Sequence, residues 1–85
     1  STTMSRSKRE PEWVEAANKA LAGRTIKQVR WLTELEMEVL DWHRAAPVLI
    51  LDNGECLFCS MDDEGNDGGA LFTTIDDLSV LPVMS

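Results

Sequence analysis

The sequence has no tyrosine, a single histidine, two cysteines and only three prolines. Beyond residue 32 it has one basic side chain, Arg44. No apolar run approaches the ~20 residues of a membrane span. The longest, Ala45–Leu51, suits a buried strand. The N-terminus is basic but has no apolar core behind it, so it does not read as a signal peptide, and the expected location is cytoplasmic. No complete catalytic or binding motif is present. His43 has no nucleophile motif near it and reads as a favourable residue at a helix C-terminus.

What is present bounds the rest. Eighty-five residues make one domain at most. A chain this short buries little surface and is marginal without help from a metal, a disulfide or a partner chain. Apolar residues make up 44% of it, which argues against global disorder. The net charge of −7 is unevenly placed. Residues 1–32 carry seven basic side chains against three acidic ones, a balance of +4. Residues 33–85 carry one against twelve, a balance of −11. That acidic majority repels phosphate and disfavours nucleic-acid binding. A local basic face from Lys19, Arg24, Lys27 and Arg30 is the weaker exception. A protein partner with a basic surface fits the charge better.

The pattern of elements predicts a small α+β domain over 11–85, preceded by a flexible arm over 1–10. Pro11 is placed to start a helix, Trp13, Val14, Ala17, Ala20 and Leu21 recur at helical spacing, and Gly23 ends it. Arg24–Leu32 reads as a strand. Its apolar residues change parity between Ile26 and the Val29/Trp31 pair, which calls for a bulge or burial on both sides. Thr33 and Glu36 form a capping box ahead of a helix over Glu34–His43, with Leu35, Val39 and Trp42 on one face. Asn53-Gly54, flanked by apolar runs, marks a hairpin joining Val48–Asp52 to Glu55–Met61. Pro47 fits an edge or a first strand position. "ALFTT" and "LSVLPVM" add strands on either side of an Asp76-Asp77 turn. The expected architecture is a mostly antiparallel sheet of four or five short strands with two helices.

The least ordinary stretch is "SMDDEGNDGGALF", residues 60–72. Four acids, an amide and three glycines occupy residues 62–69. A calcium loop needs alternating oxygen ligands, a glycine at the sharp turn and a closing acid. Starting at Asp63 puts Gly65 in a ligand place and Thr74 at the close. Starting at Asp62 puts Asp67 in the glycine place. Neither register works. The expectation is an ordered loop in which Gly65, Gly68 and Gly69 supply positive backbone dihedrals and Asn66 tolerates them. Asp62, Asp63, Glu64, Asn66 and Asp67 are the candidate partner-binding residues. They would meet Arg or Lys, with the Glu34, Glu36, Glu38 and Asp41 face extending the patch.

Cys56 and Cys59 form one C-x-x-C. A redox pair normally opens a helix, and a structural zinc site needs four ligands, which only His43 and acids could complete here. Both cysteines read as buried and inert. Trp13, Trp31 and Trp42 recur in apolar patterns and read as core, with room for one exposed interface anchor.

Leu21, Gly23, Thr25-Ile26, Val29, Glu36, Trp42, Pro47, Asp52, Gly54 and the Asp62–Gly69 loop carry a resemblance over roughly residues 21–73. The chain resembles a group of small bacterial and phage-associated proteins of uncharacterised function. That resemblance implies a compact, self-standing domain and brings no activity, substrate or cofactor with it. The function expected is a non-enzymatic protein-interaction module with no cofactor. The alternatives are a metal-binding or thiol-dependent site at the loop or the C-x-x-C, and an acidic DNA mimic that inhibits a nucleic-acid enzyme.

Overall fold

The structure is a computed structural model that describes the backbone of residues 2–85 and the side chains of residues 10–85. The element order is α1 (Thr2–Leu21), β1 (Ile26–Trp31), α2 (Glu34–Leu40), β2 (Pro47–Leu51), β3 (Cys56–Phe58), β4 (Leu71–Ile75) and β5 (Leu78–Leu81). Strands β1-β2-β3 form one antiparallel sheet, and β4-β5 form a second. The α+β architecture read from the sequence is the one the chain adopts.

Helix α1 is longer than the sequence suggests. It starts at Thr2, so residues 2–10 of the expected arm are helical, and Pro11 lies inside the helix. Proline's fixed φ is itself helical, but inside a helix the residue removes one backbone bond and crowds the preceding turn. The C-terminus is as expected. Gly23 takes a left-handed φ of 81°, and Arg24 N–H donates to Leu21 O at 3.1 Å. Every residue from 10 to 29 is exposed.

Strand β1 contains the bulge that the parity change demanded, between Ile26 and Gln28. The extra residue brings Ile26 opposite Leu51, Val29 opposite Leu49 and Trp31 opposite Pro47, all on one face. Gln28 and Arg30 take the other face, with Ile50 and Val48. Pro47 is the first residue of the central strand, where a missing N–H is tolerated. The Asn53-Gly54 turn closes as expected, with Gly54 at φ 87° and Leu51 N–H donating to Glu55 O at 2.9 Å.

Helix α2 starts at its capping box, with Glu36 N–H donating to Thr33 Oγ1 and Thr33 N–H donating to Glu36 Oε1. It ends at Leu40, three residues short of the expected His43, because Asp41 turns left-handed (φ 59°) and donates to Glu38 O and Met37 O. The residues that face inward also differ from the expectation. Leu35 and Val39 are 70% and 81% exposed. Met37 packs on the core instead, and Trp42 enters it from beyond the helix end, 6% exposed. The core is Leu32, Trp42, Ala45, Ala46 and Val48, with Trp31, Met37 and Ile50 packed against it. Trp42 meets Phe58 edge-on at 5.7 Å.

Arg30 ties β1 to α2. Its guanidinium grips Glu36 with two bonds of 2.8 and 3.0 Å. That grip, with the Thr33 backbone bond, lowers the Glu36 carboxyl to about 2. An unfolded Glu titrates near ~4.3. The folded state is therefore favoured above that value, and the advantage is lost as pH falls toward 2. The Glu36 side chain is 40% exposed, so screening limits the effect to about 1 kcal/mol. Acid unfolding of Glu36→Gln, which keeps the cap acceptor but cannot titrate, should show a flatter pH dependence between ~4 and ~2 than the wild type. Identical profiles for the two proteins would contradict this assignment.

Candidate functional site

The loop over 60–69 is ordered by its own acids. Asp62 Oδ1 accepts from Glu64 N–H at 3.0 Å and Asn66 N–H at 3.3 Å, while its Oδ2 takes Asn66 Nδ2 at 2.7 Å. Those bonds, the Asn66 side chain foremost, hold the Asp62 carboxyl below its ordinary value. Asp67 reaches outside the loop. A single oxygen, Oδ1, accepts from Gly68 N–H at 2.7 Å, Arg44 N–H at 2.9 Å and His43 N–H at 3.1 Å. The Gly68 amide is the largest cause of its lowered pKa, followed among the stabilising bonds by those from Arg44 and His43. Both carboxylates favour the folded state at neutral pH and lose that effect on acidification.

A second tie runs the other way. Trp42 Nε1–H donates to Gly65 O at 2.7 Å. The base of the loop closes on itself, with Met61 N–H donating to Asp67 O at 2.8 Å and Gly69 N–H to Cys59 O at 2.9 Å. Residues 41–46, which carry the chain from α2 into β2, are thus clamped to residues 59–69.

The glycines act differently from the expectation. Only Gly65 has a positive φ, 73°. Gly68 and Gly69 are required by close approach. A Cβ on Gly68 would collide with the backbone carbonyl of Arg44. One on Gly69 would lie 2.7 Å from Ser60 O. Asn66 does not adopt a left-handed conformation, and its amide bonds Asp62 and Glu64 instead.

Of the five candidate residues, Asp62, Asn66 and Asp67 are engaged in holding the loop. Glu64 Oε1 accepts only from Asn66 Nδ2, at 3.2 Å. Asp63 is exposed, and the structure gives its side chain no bond. Next to the loop lies a concavity of about 400 Å³ lined by Glu34, Met37, Glu38, Asp41, Trp42 and His43. Positions 34, 37, 38 and 41 share one face of the α2 turn, so this hollow has carboxylates at its rim and Met37 and Trp42 as apolar lining. Glu36, expected to belong to the same acidic face, is instead paired with Arg30. Trp42, which lines the hollow and bonds the loop, is the site residue that sequence reasoning placed in the core alone. Its place in an apolar pattern could not reveal its indole N–H partner.

The cysteines differ from the buried, inert pair expected. Both are free thiols; Cys56 is exposed and Cys59 half-buried. Among the described residues, no three His, Cys, Asp or Glu side chains are grouped so as to hold a metal ion. No helix among them is long and apolar enough to cross a membrane. No family model, no curated protein and no solved structure matches the chain.

The two kinds of glycine separate in a stability measurement. Gly68→Ala forces backbone against backbone and should cost about 3 kcal/mol or more. Gly65→Ala meets open space and should cost roughly 1–2 kcal/mol for its left-handed backbone alone. Equal losses in urea unfolding would contradict the close-approach role of Gly68.

Proposed function

We propose that this chain is a non-enzymatic interaction module that receives basic side chains of a protein partner in the hollow formed by α2 and the residues that follow it. The observation that carries this reading is the hollow's make-up. Glu34, Glu38 and Asp41 supply carboxylates, and Met37 and Trp42 supply an apolar lining beneath them. A lysine or arginine has the matching form, an apolar stem with a charged head. Its stem covers Met37 and Trp42 while its head pairs with the carboxylates. Asp63 and Glu64 add negative charge on a neighbouring loop that is already ordered, so little conformational entropy is lost when a partner binds. The −11 balance of residues 33–85 draws a basic partner in and repels polyphosphate.

A titration with a short Lys/Arg-rich peptide, followed by ¹H–¹⁵N NMR, tests this. The Trp42 indole and the amides of residues 34–43 should shift. Affinity should fall about tenfold or more in the Glu34→Gln/Glu38→Gln double variant, and steeply between ~0.05 and ~0.5 M salt. An unshifted Trp42, or a double variant that binds equally well, would sink the reading.

A further inference from the structure

The turn between β2 and β3 holds a reactive pair. The chain has three asparagines, Asn18, Asn53 and Asn66, and only Asn53 precedes a glycine. The other two also have engaged amide groups. Asn18 Nδ2 donates to Val14 O at 2.9 Å inside α1. Asn66 Nδ2 donates to Asp62 at 2.7 Å and to Glu64 at 3.2 Å. Asn53 Nδ2 bonds no described residue, and residues 52–58 are all exposed. The side-chain carbonyl carbon of an asparagine is open to attack by the next backbone nitrogen, and a glycine there offers the least hindrance.

We propose that Asn53 is a self-modification site, converting through a cyclic imide to aspartate and isoaspartate, with the turn as its gate. Three features of the turn carry this. First, Asn53 Oδ1 accepts from Glu55 N–H at 3.1 Å. Negative charge develops on that oxygen when Gly54 N attacks Cγ, and a donor already aimed at it stabilises the charge. Second, no atom lies within 4 Å of the place a Cβ on Gly54 would take, so the five-membered ring has room to close. Third, Gly54 N–H donates to Leu51 O at 3.0 Å. The nitrogen must leave that bond before it can attack, so the reaction waits on the turn opening. That opening is local, because β3 is a three-residue edge strand in solvent.

The steps balance with water as the only co-reactant. Gly54 N gives its proton to solvent and bonds Cγ. The Cγ–Nδ2 bond breaks, and Nδ2 leaves as ammonia with a proton from water. A second water then opens the ring. Attack at Cγ restores the original chain path and leaves an aspartate. Attack at the backbone carbonyl carbon of residue 53 breaks its bond to Gly54 N and sends the chain through Cγ, as isoaspartate. Nothing is oxidised or reduced. Isoaspartate lengthens the backbone by one methylene, which a two-residue hairpin turn does not accommodate. The pairing of Ile50 with Cys56 and of Leu49 with Leu57 loosens. Phe58, which meets Trp42 edge-on, ends the same strand.

The test incubates the full chain in mildly alkaline buffer, folded and in urea, with peptide mapping by mass spectrometry. In the folded chain, position 53 should convert before any change at positions 18 or 66, and both isomers should appear. Its rate should be about three- to tenfold lower than in urea, the weight of the one hydrogen bond that must open. NMR of the purified isoaspartate product should show the pairing of residues 48–50 with 56–58 weakened. Freshly prepared Asn53→Asp, which keeps an acceptor for Glu55 N–H, should retain it. No conversion at position 53 by the time the urea-unfolded chain has fully converted overturns the proposal. So does aspartate without isoaspartate, the mark of direct hydrolysis. A folded rate equal to the unfolded one overturns the gate. No residue of this turn lines the acidic hollow, so each of these failures leaves the basic-partner reading standing.

Discussion

Three backbone amides converge on one carboxylate oxygen of Asp67, and much of the molecule's order follows from that convergence. Residues 41–46 have no regular structure to hold them beyond the bridge at Ala45. They turn through the left-handed Asp41, pass Trp42 into the core and deliver the chain to the central strand. Asp67 satisfies the His43 and Arg44 amides from outside, and the Trp42 indole takes a carbonyl from the loop in return. Gly68 makes that approach possible because it lacks the Cβ that would strike Arg44. The loop is a clamp before it is a surface. Its remaining acids, Asp63 and Glu64, ride on a frame whose shape Asp62 and Asp67 have already set.

Helix α2 separates two hollows. It is short, and its two faces differ in kind. One offers Glu34, Glu38 and Asp41 around an apolar lining; the other offers Leu35, Val39 and Leu40 across from the sheet. The Arg30–Glu36 grip fixes the helix on β1, so both hollows keep their form together. A small domain that leaves this much apolar side chain in solvent has reached the limit that surface-to-volume scaling sets on short chains.

The elements with local chemical signatures were legible in the sequence. The capping box at Thr33 and Glu36, the Asn53-Gly54 turn and the Gly23 helix end follow from residues acting on their own stretch of backbone, and the bulge near Ile26 follows from the parity of neighbouring apolar residues. The α+β class followed from them. The errors lie where one residue answers to a distant one. The helical spacing of Leu35, Val39 and Trp42 suggested one buried face, but Leu35 and Val39 face solvent and Met37 packs on the core. The loop's glycines suggested positive backbone dihedrals, whereas Gly68 and Gly69 answer to the carbonyls of Arg44 and Ser60. Asp67 read as a surface acid because its partners, His43 and Arg44, lie over twenty residues away in the chain. Periodicity and composition carry no record of such pairings.

The order of residues 41–46 depends most on the loop being a clamp and not a mobile acidic tail. Native-state hydrogen exchange at the amides of His43, Arg44 and Gly68 and at the Trp42 indole measures this directly. The clamp predicts protection at all four comparable to that of β2, lost at all four together in Asp67→Ala. Rapid exchange at these sites in the wild-type chain, with β2 still protected, would contradict it.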